Sequence, residues 1–361
     1  MDFLPYLSFI LVLGLMVLAH EFGHFILAKR AGIKVEEFAL GYPPRLFAVK
    51  RGETEYSINL VPLGGFTKML GEEDPSAPRS FAAASKRWRI AVLAAGSLMN
   101  IALAVLLFAG GYMAGWPTAT ASEVKIFKVA PGSPADQAGI RVDDVVISVG
   151  GEKVSVAYDV RPKTEAHLGR EVAFLVRRNG AETTLKVVPR TTWPEGEGPL
   201  GIGILDSPTT IEPVSYPVWD AIVLGLRRTV EIVLFILYVP VMILRGHLPL
   251  ELARPVGPIG IYQITAQAAS QTVSSGWWFP ILSVAGMIGV SLGVANLLPI
   301  PGLDGGRLLF VFLEAIRGKR ISPEREGLIH MVGLGVLISL VIVVSYFDVL
   351  SPVPSIDWGM R

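Results

Sequence analysis

Ala19-His20-Glu21-Phe22-Gly23-His24-Phe25 is an HExxH motif inside an apolar run from Phe3 to about Leu27. The run is long enough to cross a bilayer, which takes about 20 apolar residues. On a helix, two histidines four apart project from one face. Their imidazole nitrogens can share one Zn²⁺, with Glu21 beside them as a base toward water. At this chain's His and Glu frequencies, chance supplies roughly 0.004 such matches, so the motif is informative. Ionisable groups within a span are costly and are kept for function. That sets this reading above two satisfied histidines in a buried helix.

Composition agrees with a membrane location. Of 361 residues, 51% are hydrophobic and 17% charged, and mean hydropathy is +0.52, too apolar for an ordinary soluble protein. A net charge of +1 offers nothing to a nucleic acid, so no such partner is expected. Cysteine is absent, which excludes disulfides and thiolate metal ligands. The first apolar run has no basic n-region and no A-x-A-like site, and it reads as a retained span.

The fold class expected is an α-helical polytopic membrane protein with four transmembrane helices, a membrane-associated β-hairpin and one inserted α+β domain. Residues 1–28 form the first span, with the histidines at its end beside Lys29 and Arg30. Residues 29–89 carry eleven Lys/Arg, so this loop is cytoplasmic and the N-terminus faces outward. Within about 55–71, Glu55–Leu60 alternates polar and apolar, and Leu63–Gly71 follows. They read as short strands joined at a Pro62-Leu63-Gly64-Gly65 turn. Such an element can pair with an extended peptide; a plain cytoplasmic hairpin is the alternative.

Residues 90–116 are the second span, where Gly96 and Ser97 permit close helix approach and Asn100 needs a polar partner. Residues 122–205 are polar and rich in short β-branched runs. Strands are expected at Val124–Val129 and Asp144–Val149, with a hairpin of Glu171–Arg177 and Glu182–Val188 across Asn179-Gly180. The domain follows an outward-going span and is expected outside. Residues 213–260 read as a membrane-associated helical segment ending in a turn-rich link, Pro255–Gly260. Asp220, Arg227, Arg228 and Glu231 interrupt its apolar part, 218–244, and Arg227 and Glu231 are spaced to pair.

Residues 277–306 are the third span. It ends in a broken helix, Asn296-Leu297-Leu298-Pro299-Ile300-Pro301-Gly302-Leu303-Asp304-Gly305-Gly306, and irregular backbone at that depth must be buried or line a cavity. Arg307, Arg317, Lys319, Arg320 and Arg325 mark a second cytoplasmic loop before the last span, 327–347. A catalytic zinc takes three protein ligands and one open position. Asp304 lies on the same side as the histidines and is the leading third ligand, with His330 as competitor. His167 and His247 belong to the outer side and read as ordinary surface histidines.

The chain resembles the site-2 protease family of intramembrane zinc metalloproteases. The resemblance rests on His20-Glu21-Phe22-Gly23-His24, Gly96-Ser97-Leu98-Met99-Asn100 and Asn296–Gly305. Val129–Ala135 with Gly139-Ile140 and Asp143–Val146 resembles a bacterial PDZ domain. The order span, span, PDZ, span, span is similar to the branch that cleaves anti-sigma factors. Two departures stand out: Ser97 occupies a position where the family often has Pro, and there is one PDZ-like domain where some relatives carry two.

The resemblance implies Zn²⁺ on His20, His24 and Asp304, with Glu21 as base and proton shuttle. It implies that Asn296 helps hold unwound substrate and that strand 56–70, with Gly64, Gly65 and Phe66, is a membrane-inserted element pairing with it. The implied substrate is a single-span membrane protein, such as an anti-sigma factor or a signal-peptide remnant, cut within the lipid bilayer of the inner (cytoplasmic) membrane. It also implies a peptide ligand for the PDZ-like domain. Three other classes fit the residues less well. A catalytically silent scaffold or chaperone would have no use for Glu21. A chambered membrane zinc peptidase would take a Glu as third ligand. A metal transporter would need acceptor groups strung along several spans.

Parity decides segment 218–244. One crossing there would strand Asp304 a bilayer's width, about 30 Å, from the histidines, whereas zinc–ligand bonds are about 2 Å. Four spans are therefore expected, with 218–244 in or near the outer interface and both termini outside. A tight re-entrant hairpin is the alternative. Single cysteines near Arg245 and Pro255 should react with an impermeant reagent applied from outside; labelling only after permeabilisation would overturn this topology.

Overall fold

The computed structural model describes residues 3–72, 74–194, 197–249, 254–319 and 321–358. Arg320, and short pieces of the expected segments at 195–196 and 250–253, lie outside them. The elements in chain order are α1 (Leu4–Arg30), β1 (Val35–Arg51), β2 (Thr54–Met69), α2 (Lys86–Gly115), β3 (Trp116–Val129), α3 (Pro134–Gln137), β4 (Val145–Val149), β5 (Glu152–Lys153), α4 (Ala157–Glu165), β6 (Val172–Arg178), β7 (Ala181–Val187), β8 (Ile202–Val214), α5 (Val218–Leu244), α6 (Pro258–Ser275), α7 (Phe279–Leu297), α8 (Asp304–Arg317) and α9 (Pro323–Leu350). They divide into two units, one of Met1–Trp116 with Ser215–Trp358 and one centred on Pro117–Val214.

In the first unit, α1, α2, α7 and α9 are long and apolar enough to cross a membrane among the described residues. They coincide with the four expected spans. Small residues let them approach closely. A Cβ on Gly23 of α1 would lie 2.4 Å from the Ala95 carbonyl oxygen of α2, and one on Gly293 of α7 would lie 2.9 Å from that of Ser97. Without a solvent-driven hydrophobic force, such contact is what holds spans together.

Helix α7 ends at Leu297 because Pro299 and Pro301 follow; proline lacks an amide donor and restricts the residue before it. The chain resumes as α8, where the arginines point to a loop on sequence grounds. Its apolar residues Leu308 and Val311 pack against Ala28, Val92 and Leu93, so burial organises a segment whose arginines suggested solvent.

Helix α5 matches the expected 218–244, but it packs lengthwise on α2 more intimately than a helix lying at a surface requires. Ala221, Gly225 and Thr229, spaced by four, are buried. A Cβ on Gly225 would lie 2.6 Å from the Val105 carbonyl oxygen. Ile232, Val233 and Ile236 cover Ala104, Phe108, Val290 and Val294. Arg227 and Glu231 pair at 3.0 Å, as their spacing suggested. The link at Pro255–Gly260 is only partly a turn: Pro258 opens α6, where a proline in the first turn costs no hydrogen bond. The buried Asp348 carboxylate of α9 accepts the Gly257 and Gly260 amides at 3.0 and 2.9 Å, capping that helix.

The β element needs a correction. Two short strands were expected, and the partner strand β1 was missed. β1 carries Gly41 and the Pro43-Pro44 pair, which argue against a strand on sequence grounds. Its register is doubled. Phe38 is paired with Thr67 on one side and Tyr56 on the other, and Leu40 with Gly65 and Ile58. Arg45 to Arg51 then pair back on Asn59 to Thr54. Segment 35–42 is therefore interior, and β2 bends at Pro62–Gly64 to run on both sides of it. The expected turn is real as a bend but joins runs separated by β1.

The second unit holds a six-stranded sheet in the order β7-β6-β4-β3-β8, with β5 paired to β4. Asn179 (φ 50°) and Gly180 (φ 82°) make the β6–β7 turn, the two positive angles a type I′ hairpin needs. Val124, Ile126, Val146, Phe174 and Val176 form the core with Ala135, Ile140 and Val160. The unit is longer at both ends than the expected 122–205. Strand β8, which contains Pro208, was missed; it lies at the sheet edge, where proline is tolerated.

Asp144 is buried and takes a two-point bond from Arg178, 2.7 Å from Nε and 2.6 Å from Nη2, plus the Arg141 amide at 2.8 Å. Burial opposes its ionisation, but Arg178 and the Arg141 amide outweigh it and hold the carboxyl below its usual range. Its stabilisation is then present above the unfolded-state value of about 3.9 and is lost as pH falls through the folded value. Asp144→Asn should cost about 2 kcal/mol at pH 7. In hydrogen-exchange measurements on this unit, the deficit should shrink below about pH 4.

Candidate metal centre

His20 and His24 lie one turn apart near the end of α1, with their rings edge to face at a centroid distance of 4.7 Å. Asp304 opens α8. The three donors converge: His20 Nε2 is 3.0 Å and His24 Nε2 is 3.2 Å from Asp304 Oδ2, and the two nitrogens are 3.1 Å apart. Among the described residues, no other His, Asp or Glu joins this group.

The arrangement fits a metal. A tetrahedral ion with bonds of about 2.0–2.1 Å sets its ligands about 3.3 Å apart, close to all three separations. His24 Nδ1 lies 2.7 Å from the Val92 carbonyl oxygen. A carbonyl only accepts, so Nδ1 carries the proton and the Nε2 lone pair faces His20 and Asp304. This is the outer hydrogen bond that usually orients a metal-ligating histidine. Gly96 leaves the space: a Cβ there would lie 2.4 Å from His24 Nε2 and 2.8 Å from His20 Nε2. His20 Nδ1, Ser97 Oγ and Asn100 Oδ1 are buried without a hydrogen-bond partner among the described residues, so the polar partner expected for Asn100 is not found at Oδ1.

The broken helix delivers Asp304 by close backbone contact. A Cβ on Gly305 would lie 2.0 Å from the Leu298 carbonyl oxygen, and one on Gly306 2.5 Å from that of Ile300. His330, the competing ligand, is engaged elsewhere: the Gly302 amide donates to its Nδ1 at 3.0 Å. It therefore supports the loop carrying Asp304. Arg307 pairs with Glu72 at 2.8 Å, and buried Arg89 of α2 pairs with Glu314 of α8 at 2.7 Å. At the end of α1, Glu53 binds Arg79 and Lys29 at 2.8 and 2.6 Å; these cations hold its carboxyl down at about 2.

The structure also brings β2 to α1. A Cβ on Gly65 would lie 3.1 Å from Glu21 Cγ. Thr67 Oγ1 lies 2.8 Å from Glu21 Oε2, a contact that sequence reading missed, since nothing in Leu63–Gly71 singles out Thr67. Gly64 packs on the Tyr42 ring, which stacks on Phe66 at 6.4 Å. Asn296 is half-buried on the last turn of α7.

The chain matches the profile described as Peptidase family M50 over residues 8–340. It is 31% identical to zinc metalloprotease RasP of Oceanobacillus iheyensis over 427 aligned positions, covering 95% of this chain and 98% of that protein. It is 29% identical to the regulator of sigma-W protease RasP of Bacillus subtilis, covering 95% and 97%.

Gly96→Ala should lower bound metal severalfold, and Asp304→Ala should abolish stoichiometric binding, whereas His330→Ala should leave metal bound. Elemental analysis of the purified variants checks this; metal lost with His330 and kept without Asp304 would relocate the centre.

Proposed function

The chain belongs to peptidase family M50 and is a zinc metalloprotease of a multi-pass membrane protein type, and we propose that it cleaves single-span membrane proteins within their transmembrane segments. The observation that carries this reading is the meeting of His20, His24 and Asp304 beside Glu21, at the ends of apolar helices. In this reading the three residues hold the zinc. The bound ion supplies Lewis acidity and activates water at neutral pH. Glu21 accepts the proton of the attacking water at its carboxylate. It returns that proton to the leaving amine as the C–N bond breaks, which balances the hydrolysis.

A substrate helix must unwind first, because its carbonyls are otherwise engaged in i→i+4 hydrogen bonds. The 65–69 run of β2 is suited to receive the extended chain, since its outer side is unpaired among the described residues. Gly64, Gly65 and Phe66 line it, and Asn296 is a second polar contact for substrate. Tyr42, Leu46, Phe47, Ile58 and Leu60 of the sheet are exposed and apolar, which supports its immersion in lipid. Anti-sigma factors and signal-peptide remnants fit as substrates; the Bacillus subtilis relative is named as a regulator of sigma-W.

The second unit serves as a PDZ-like substrate filter or peptide site, outside an inner membrane whose cytoplasmic side holds the metal centre. Support comes from a cavity of about 470 Å³ between α4 and β8, lined by Val160, Arg161, Thr164, Leu200 and Ile202.

Purified protein should cut a single-span peptide, and a zinc chelator should stop it. Glu21→Gln should abolish cleavage while keeping zinc. A variant lacking 122–205 should still cut a pre-trimmed substrate. Retained activity or lost zinc in Glu21→Gln would sink the assignment of the base.

A further inference from the structure

Thr67 is the residue whose side chain hydrogen-bonds Glu21 from the sheet. Its hydroxyl lies 2.8 Å from Glu21 Oε2 and 3.0 Å from the Glu21 main-chain oxygen. A hydroxyl has a single proton to donate. The main-chain oxygen lies within α1 and already serves the helix ladder, so the carboxylate oxygen is the acceptor with an open need. Thr67 is 8% exposed, so little water competes for that bond. The strand is fixed against the helix there: a Cβ on Gly65 would lie 2.9 Å from Val17 Cγ1 and 3.1 Å from Glu21 Cγ.

The same residue sits on the docking run. Thr67 pairs with Phe38 on its inner side. On its outer side no strand is paired among the described residues, leaving main-chain groups for an incoming extended chain. We propose that Thr67 is a positioning residue: its hydroxyl holds the Glu21 carboxylate in one rotamer and ties the base to the strand on which substrate docks. The inference rests on the reading of Glu21 as base. It goes further by assigning the base's alignment to the β element, so that the strand both receives the chain and sets the group that cuts it.

The test is Thr67→Val, which keeps the β-branched shape and removes the donor. On a single-span peptide, kcat should fall about tenfold, a part of the 10²–10⁴ that a general base contributes. KM should stay within about twofold, because a group acting only on the base does not alter ground-state binding. Zinc content should be unchanged, and Thr67→Ser should restore most of kcat. If Val disturbs the strand, seen as a lowered unfolding temperature or lost zinc, Thr67→Ala is judged by the same criteria. An unchanged kcat, a loss confined to KM, or a Ser variant no better than Val would overturn the proposal. Glu21→Gln separates the two readings. If that variant stays active, the base assignment has failed. If it is dead while Thr67→Val runs at the parental rate, only the positioning role has failed.

Discussion

The structure depends on keeping an irregular stretch of backbone, Leu298–Leu303, among apolar helices. In such surroundings every amide and carbonyl must find a partner inside the protein. Here the partners are local and few. The Ile300 amide donates to Leu298 at 2.7 Å, Leu303 to Ile300 at 3.1 Å and Gly306 to Leu303 at 3.1 Å, while Gly302 donates to the His330 ring. Two prolines remove two donors that would otherwise need satisfying. The result is a short rigid bridge that ends one helix and starts another with Asp304 at its first position.

That bridge is useful only because α1 and α2 are nearly in backbone contact. Gly23 and Gly96 remove the two side chains that would separate them, and the Val92 carbonyl can then orient His24. The three converging donors, the Val92 carbonyl and β2 thus form one layered arrangement around α1. The sheet contributes Thr67 and Gly65 to the same turn of helix that carries Glu21. Charge pairs such as Arg89–Glu314 fasten α8 to α2 from the other side.

Much of this was legible in the residues. The spans, the convergence of His20, His24 and Asp304, the close packing at Gly96 and the Asn179-Gly180 hairpin follow from rules with short range or strong period. What escaped has a common physical cause. β1 and β8 contain prolines, which argue against strands, so their strand character comes from pairing partners and not from their own pattern. α6 opens on Pro258 and α8 follows Pro299 and Pro301, in stretches that read as turns, and burial against other helices organises them. The doubled register of β1 cannot be seen in either strand alone, because it is a property of three runs meeting. Thr67 looked like one polar position among several until the strand was docked on α1.

His24 and Asp304 are 280 positions apart in the chain, and Pro117–Val214 of the second unit falls within that interval. Closing so long a loop is an entropic cost that grows only as a logarithm of its length, about 0.6 kcal/mol for each doubling. The intervening segment can therefore lengthen, shorten or exchange a whole folded unit at almost no thermodynamic expense to the meeting of the ligands. Three side chains on rigid helices are insulated from the size of what connects them. That leaves the connecting segment free to diverge in size among proteins that share the same centre.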